Sequence, residues 1–478
     1  MSEAAANRGD SLPEDWKLFD PDRYEGEIDD WQRAKAWLES CQAQNEDEVF
    51  LMQCKLMGVY NELSTSLLRD GMSYKAEQAI ACLDNQAKME LLYTTTLFCA
   101  AQAFKLQEQV QPAAELCTIT LERQLLHKHF EPQEWSISAL QLSVLYNNPD
   151  DWVRAAQCLY ASEVMLAKVK KEDLTEDSVP NLQIGWGKFH MVRLSHAAQL
   201  RKRGIERIPP QFEVMFKGLS IDDKKLDDTK EPVLSKAIEE IKSLDRAREE
   251  FLQGQSRLIG AKQYYTLEEH VSEHYQLTQD HCSMYSDLLV FEKDIGHKCK
   301  LLKRQADLFE PLITSLVHIN WKRYVQQMDI QCGEIYLEMC DLKREGFVDG
   351  ESPKQIERRK KINRLCVYAI TKSSDKFKHF LKTCEENGKE PEKVDESIEH
   401  PFVLSHMYLA RLKVIVGDPS VRVKYLSASQ KYYQWIVDYI KKNPQSEAKF
   451  KREGEMSAEM VTLLPAKIRG IQDGTFRE

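Results

Sequence analysis

The same succession of small and large side chains occurs twice in the chain, with each member of the second copy 42 residues after its partner. The first copy consists of Leu97, Ala100, Ala101, Phe104, Ala113, Cys117 and Thr120, and the second of Ala139, Leu142, Ser143, Tyr146, Ala155, Leu159 and Ser162. These residues recur at the three- and four-residue steps that form one face of an α-helix. A polar gap divides each copy, which predicts two antiparallel helices per copy. The small residues let the helix backbones approach closely, and Phe104 and Tyr146 fill the space beside them.

This spacing resembles that of the tetratricopeptide repeat, whose period is about 34 residues. The longer period predicts a lengthened loop between the two copies, from His127 to Glu134. An ordinary helical bundle with chance spacing is the alternative that the pattern leaves open.

The rest of the chain is also predicted to be helical, because only 19 glycines and 16 prolines interrupt 478 residues. The predicted helices include 47–69, 73–84, 88–106, 182–203, 315–343, 353–387, 401–416, 420–442 and 446–470. A further helical stretch, from about 233, ends near Pro311. The predicted organisation is an irregular tail at 1–30, an N-terminal subdomain at 31–203, a linker at 204–232, a C-terminal subdomain with a capping helix at 233–470, and a tail at 471–478. The fold class is all-α, a solenoid of repeat-like helical hairpins.

The composition excludes several classes of function. The net charge of −10 and the pI of about 5.8 argue against nucleic acid as the main ligand, since phosphate binding needs a basic surface. Mean hydropathy is −0.52 and no run of 18 apolar residues occurs, so we expect a soluble protein without membrane insertion. The twelve cysteines contain no Cys-x-x-Cys pair, which favours a reducing, cytoplasmic location.

One short motif suggests metal chemistry. His270, Glu273 and His274 match His-x-x-Glu-His, a pattern of zinc peptidases, in which two histidines bind zinc and the glutamate acts as a base. The alternative is the polar face of a long helix, which we favour because no strand framework or glycine-rich loop accompanies the motif. The sequence therefore predicts no enzyme, no metal and no cofactor, with a zinc hydrolase as a remote alternative.

Helical-repeat proteins commonly bind partners in the groove lined by the first helix of each pair. The groove positions are Thr95, Phe98, Cys99 and Gln102 in the first copy, and Ile137, Leu140, Gln141 and Val144 in the second. Repeat proteins that hold the C-terminal carboxylate of chaperones use Lys, Arg and Asn at such positions, and none occurs here. A neutral, partly apolar groove suits a folded surface or an amphipathic helix better. A general repeat scaffold or cochaperone adaptor, and simple packing for Phe98 and Leu140, remain alternatives.

Several blocks of the chain resemble the KIF-binding protein family, which regulates kinesin motors. They include Leu92–Gln102, Ala113–Leu125, Glu134–Tyr146, Glu273–Leu312, Tyr432–Lys441 and Ser457–Lys467, in the same order over roughly residues 88 to 470. The resemblance implies a right-handed, non-enzymatic solenoid of two subdomains that binds kinesin motor domains and keeps them off microtubules. It also implies that partner contacts fall on Cys99, Gln102, Gln141 and Val144. Thr95 and Ile137 complete the predicted partner-binding set.

Charge fits this hypothesis independently. A kinesin's track-binding face must be basic to hold acidic tubulin, so a net-acidic protein can compete for it. We therefore expect a monomeric, cytoplasmic, cytoskeleton-associated protein whose partners are kinesin motor domains.

Overall fold

A computed structural model gives the fold. It describes residues 108–128, 130–205, 239–316, 319–345, 353–386, 388–415 and 422–473, with the single positions Arg33, Ala34, Ala36, Trp37, Lys55, Thr94, Leu97, Ala101, Phe104, Lys105, Met215, Phe216 and Leu219. The predicted N-terminal tail, almost all of the predicted helices 47–69, 73–84 and 88–106, and the last five residues lie outside this description.

Twelve α-helices make up the described ranges. They are α1 (Val110–His127), α2 (Pro132–Leu145), α3 (Trp152–Leu166), α4 (Ser178–Arg203), α5 (Leu244–Lys262), α6 (Val271–Leu289), α7 (Ile295–Ser315), α8 (Lys322–Glu345), α9 (Pro353–Cys384), α10 (Glu396–Ile415), α11 (Arg422–Lys442) and α12 (Lys451–Gln472). Within the described part of the chain no strand occurs, and one isolated β-bridge joins Glu386 and Lys389. The predicted all-α fold is confirmed.

The chain divides into two compact units. The first unit contains Met1–His196, Ile205–Ile241 and Ser256–Tyr264, and the second contains Ala197–Gly204, Lys242–Gln255 and Tyr265–Glu478. In both, a helix packs mainly on its neighbours in sequence, which is the arrangement of a helical solenoid. The predicted subdomain boundaries stay a prediction.

In the first unit, α2 and α3 form the hairpin that the second copy of the pattern predicts. All seven members of that copy, from Ala139 to Ser162, are buried. The helices approach closely where their residues are small: the Ser136 and Ser162 hydroxyl oxygens lie 2.7 Å apart in a buried hydrogen bond. Tyr146 fills the adjacent space, and its hydroxyl is 2.8 Å from the Thr118 hydroxyl of α1.

The predicted long loop between the copies is wrong. Helix α1 continues to His127 and α2 begins at Pro132, so the connection is short. Helix α1 itself has 18 residues. The residue that follows α1, Lys128, has a positive φ of 57°, the left-handed conformation that often terminates helices.

Part of the predicted linker contributes to the core of the first unit. The three described residues within 206–232, Met215, Phe216 and Leu219, are all buried. The Phe216 ring lies edge-on to Trp135 with 5.4 Å between ring centroids. The Met215 amide donates a 2.7 Å hydrogen bond to the side-chain oxygen of Gln157. This segment therefore packs on α2 and α3 at these points.

In the second unit, the helices from α6 to α12 pack successively on one another around a single large apolar cluster. Pro311 does not end a helix as predicted, because α7 continues through it to Ser315. Pro401 likewise lies inside α10, which begins at Glu396. A proline removes the hydrogen bond to the carbonyl four residues earlier. Those carbonyls belong to Asp307 and Ser397, both exposed residues, where water can replace the lost donor.

The α8–α9 contact is close enough to require glycine. A Cβ added to Gly333 would lie 2.6 Å from the Phe377 ring, and the Ser373 hydroxyl donates a 2.7 Å hydrogen bond to the Gly333 carbonyl. We expect Gly333→Ala to lower the free energy of unfolding by about 1–3 kcal/mol through overpacking. Gly260→Ala is the matched control, because its Cβ meets nothing nearer than 3.6 Å. It should stabilise the protein by about 0.5–1 kcal/mol, since alanine is the better helix former. Urea denaturation of both variants measures the difference, and equal effects would contradict the described packing.

The buried carboxylate of Glu399 on α10 links this helix to α11 and to the segment between α11 and α12. Glu399 accepts hydrogen bonds from Tyr439 (3.1 Å), Ser446 (2.6 Å) and Lys449 (2.9 Å). Burial alone raises the pKa of Glu399, but the hydrogen bonds from Ser446, Lys449 and Tyr439 outweigh it and hold that pKa below its ordinary value of 4.5. A lowered carboxyl pKa contributes stability that is present above about pH 4.5 and is lost as the pH falls through the folded-state value.

We therefore expect Glu399→Gln to lower the free energy of unfolding at pH 7 by about 1.5–3 kcal/mol, the usual worth of hydrogen bonds to a charged group. Its stability should then fall less than that of the wild type between pH 6 and pH 3. Denaturation curves at a series of pH values check this. Parallel pH profiles for the two proteins would rule out the role given to Glu399.

Candidate partner-binding surface

Helix α2 presents one packed face and one free face. Trp135, Ala139 and Leu142 are buried in the core of the first unit. Ile137, Gln141 and Val144 lie at helical spacing on the opposite side and are exposed, with fractions of 39% for Ile137 and 62% for Val144. We call these three residues the α2 stripe. Ile137 and Val144 share this exposed face, which makes the stripe a candidate for contact with a partner.

A cleft of about 440 Å³ adjoins this stripe. Its described lining comprises Thr94, Ala101, Lys105, Ala113, Cys117, Thr120, Leu121, Gln124, Ser138, Gln141, Leu142, Val144 and Leu145. Gln141 and Val144 belong to both features, so the stripe forms part of the cleft wall. The hydrogen bond between Tyr146 and Thr118 holds α1 and α2 together beside the cleft.

The described lining of the cleft is largely uncharged. Burial raises the pKa of the Cys117 thiol, and the nearby Lys105 ammonium only partly opposes this effect, so the thiol is neutral at pH 7. Lys105 is the one charged side chain among the described lining residues. A single cation is too little for the multi-cation clamp that holds the C-terminal carboxylate of a chaperone.

Carboxylates flank the α2 stripe. Glu131 and Glu134 are exposed at the N-terminal end of α2, and Asp150 is exposed just beyond its C-terminal end. Carboxylates therefore lie near both ends of the stripe, together with exposed Lys128 at the N-terminal end and Lys105 in the adjoining cleft. Such a surface complements a partner that has apolar groups between basic ones.

The structure places half of the predicted partner-binding set. Ile137, Gln141 and Val144 are exposed, as a contact role requires, whereas Thr95, Cys99 and Gln102 lie outside the described residues. The position of Leu140 agrees with the packing alternative. A Cβ added to Gly185 of α4 would lie 2.5 Å from the Leu140 side chain, so the leucine packs against α4.

Sequence reasoning missed Lys105, Gln124 and Ser138 as cleft residues. Lys105 follows Gln102 by three residues, so extending the predicted groove register by one turn would have reached it. Gln124 and Ser138 lie on two different helices, and their proximity depends on how α1 and α2 cross. No local pattern carries that information.

The structure does not support the zinc alternative. His270 is the N-cap residue of α6 and packs edge-on to Tyr265, and the ring of His274 is hydrogen-bonded to the Tyr265 carbonyl at 2.8 Å. His281 is buried and lies 2.9 Å from the Gln255 amide nitrogen. Each histidine is thus engaged separately, and among the described residues no group of three or more His, Cys, Asp or Glu could hold a metal ion.

Within the described ranges, none of the helices is both long and apolar enough to cross a membrane.

The comparisons with known proteins agree with one another. Residues 133–471 match the family model described as KIF-1 binding protein C terminal. Curated relatives named KIF-binding protein include those of Danio rerio, 30% identical over 80% of this chain and 66% of the relative, and of Homo sapiens, 29% identical over 82% of this chain and 68% of the relative. The chain thus spans about two thirds of the length of these relatives.

A solved structure has a similar fold. The chain matches the structure titled "Cryo-EM map of KIFBP" with a TM-score of 0.54 and 23% identity, covering 94% of this chain and 86% of the other. At this level of identity the match supports the fold alone.

Proposed function

The chain belongs to the KIF-1 binding protein family, and we propose that it binds kinesin motor domains through the α2 stripe and the adjoining cleft, and so keeps them off microtubules. The observation that carries the proposal is the exposed stripe of Ile137, Gln141 and Val144 on the wall of a 440 Å³ cleft, in a chain of this family. The family name concerns KIF proteins, and the surface supplies a place where such a partner can bind.

Affinity in this proposal comes mainly from apolar contacts. Val144 and Ile137 are exposed in the free protein and lose their contact with water when a partner covers them. Burying apolar area yields about 25 cal/mol per Å² before the costs of association. Gln141, between them, can donate and accept hydrogen bonds that fix the register of the partner.

Charge raises the rate at which the partners meet and influences which partner binds. Glu131 and Glu134 lie near the N-terminal end of α2 and Asp150 lies beyond its C-terminal end, and the whole chain carries a net charge of −10. The microtubule-binding face of a motor domain is basic because it holds acidic tubulin, so it is attracted to this surface. A motor held by that face cannot hold its track at the same time. Inhibition therefore follows from occlusion alone, without a chemical step or a cofactor.

On this proposal the protein acts as a monomer in the cytoplasm, in association with the microtubule cytoskeleton. Its activity depends on stoichiometric binding, so inhibition should saturate at one copy per bound motor domain.

The proposal is tested by mixing the full chain with purified motor domains from several kinesin classes and measuring binding by fluorescence anisotropy. We expect a saturable complex with at least one class, and an affinity that falls tenfold or more between about 50 and 300 mM salt because exposed charges are screened. If no class binds, the proposed function is wrong. If binding occurs without salt dependence, the role given to the carboxylates is wrong.

A further inference from the structure

The antiparallel contact between α8 and α9 has a regular register. Buried Asp329 lies 3.6 Å from the Lys376 ammonium, Gly333 contacts Ser373 and Phe377, and the Tyr336 and Tyr368 ring centroids lie 6.1 Å apart. Each step of one turn along α8 is matched by a step of about one turn backwards along α9. Continuing this register by one more turn places Cys340 opposite Cys366. The helix pair thus brings two cysteines together at a position where its other layers are in direct contact.

The two thiols interact. Cys340 is fully buried and Cys366 retains 8% of its accessible surface, and both are free cysteines. Their side chains are close enough across the interface for the pKa of each thiol to depend on the other.

The surroundings favour ionisation of one member of the pair. The hydrogen bond from Cys340, followed by the positive charges of Arg344 and Lys343, lowers the pKa of Cys366 although burial opposes this. The same hydrogen bond and burial raise the pKa of Cys340. Cys366 is also the more accessible of the two, with 8% of its surface exposed against 0% for Cys340, so a peroxide reaches the Cys366 sulfur first. This division of roles is the one found in reactive dithiol pairs.

We propose that Cys340 and Cys366 form an oxidation site, in which a peroxide oxidises Cys366 and Cys340 then closes a reversible disulfide between α8 and α9. In the first step the Cys366 thiolate attacks one oxygen of hydrogen peroxide. An S–O bond forms, the O–O bond breaks, and the departing hydroxide takes up a proton to become water. The product is a sulfenic acid on Cys366.

In the second step the Cys340 sulfur attacks the sulfenic sulfur. An S–S bond forms, the S–O bond breaks, and the leaving hydroxide combines with the Cys340 proton as water. The two thiols lose two electrons in total, and the peroxide accepts them. A dithiol reductant reverses the reaction by thiol–disulfide exchange. The disulfide fixes α8 to α9 covalently within the second unit.

The test uses the full chain, fully reduced and then treated with hydrogen peroxide. Peptide mapping under non-reducing conditions should find a Cys340–Cys366 cross-linked peptide that dithiothreitol removes. In Cys340→Ser, which keeps a hydroxyl donor beside Cys366 but cannot close a disulfide, dimedone should trap the sulfenic acid on Cys366 at least tenfold faster than it labels Cys332. Cys332 is the internal control, because it lies on the same helix and burial raises its pKa to about 12.

Three results would overturn the inference: Cys366 remains reduced while other cysteines react, Cys366 pairs with Cys299, or Cys366 reacts no faster than Cys332. Cys299 is the relevant competitor because its sulfur approaches the Met339 carbonyl at 4.0 Å, one residue from Cys340. The peptide map of the wild-type protein decides between these outcomes even if a variant fails to fold. Cys332→Ala should leave the cross-link unchanged.

Discussion

Replacing Trp135 with alanine is expected to lower the free energy of unfolding by about 3–5 kcal/mol, the usual cost of removing a large buried aromatic side chain. Trp135 is 1% exposed and lies at the centre of the first unit. Its indole N–H donates a hydrogen bond to the Leu121 carbonyl at 3.2 Å, and its ring meets Phe216 edge-on. The substitution removes contacts to α1 and to the buried segment around Phe216 at once, and it leaves a cavity.

Two further variants separate the causes. Trp135→Phe keeps most of the apolar volume but loses the hydrogen bond, so it should cost clearly less than alanine. Leu126→Ala on α1 is the exposed control, since Leu126 is 73% exposed, and should change stability by less than about 0.5 kcal/mol. Chemical denaturation monitored by the circular dichroism of the helices, a signal that does not depend on Trp135, gives the free energy of unfolding of each variant. A Trp135→Ala effect no larger than that of Leu126→Ala would contradict the described core.

The double variant Ile137→Arg, Val144→Arg is expected to weaken binding of a kinesin motor domain about 100-fold, or about 3 kcal/mol. The substitutions remove two apolar contacts and introduce positive charge opposite a basic partner surface, where like charges cost several kcal/mol. Both side chains are exposed, so the fold should be retained. The anisotropy measurement gives the affinity, and circular dichroism gives the helix content.

Val367→Arg is the matched control for this variant. Val367 lies on α9 in the second unit and is 59% exposed, close to the 62% of Val144. Its replacement adds an arginine in the other unit and should change the affinity less than threefold. If Val367→Arg lost half as much binding free energy as the double variant, in proportion to the one charge added against two, net charge alone would govern binding. No weakening by the double variant would exclude the α2 stripe as the contact surface.

Much of the fold could be predicted from the sequence, because small and apolar residues recur every three or four positions on the packed face of a helix. Ala139, Leu142 and Ser143 were assigned to a packed face by spacing alone, and all three are buried. The exposed positions of Ile137 and Val144 follow from the same period, since residues that do not share the packed face point away from it.

What could not be predicted depends on tertiary contacts. Phe216 lies in a polar segment rich in proline and charge, and its burial depends on tertiary contacts such as the one with Trp135. The local sequence predicts a helix end at Pro311. Helix α7 nevertheless continues through this position, because Phe309, Leu312 and Ile313 pack in the core of the second unit. The cleft has the same origin, because its residues come from separate helices and their proximity depends on crossing geometry.

The central claim, that the protein keeps kinesin motors off microtubules by occupying them, is tested most directly by microtubule co-pelleting. A motor domain shown to bind the chain is mixed with stabilised microtubules and increasing amounts of the protein, and the pelleted motor fraction is measured. The account predicts that the fraction falls as the protein reaches one copy per motor, and that the Ile137→Arg, Val144→Arg variant needs about 100-fold more. If the motor pellets equally at every concentration, or if the protein pellets with it as a ternary complex, the claim of occlusion is contradicted.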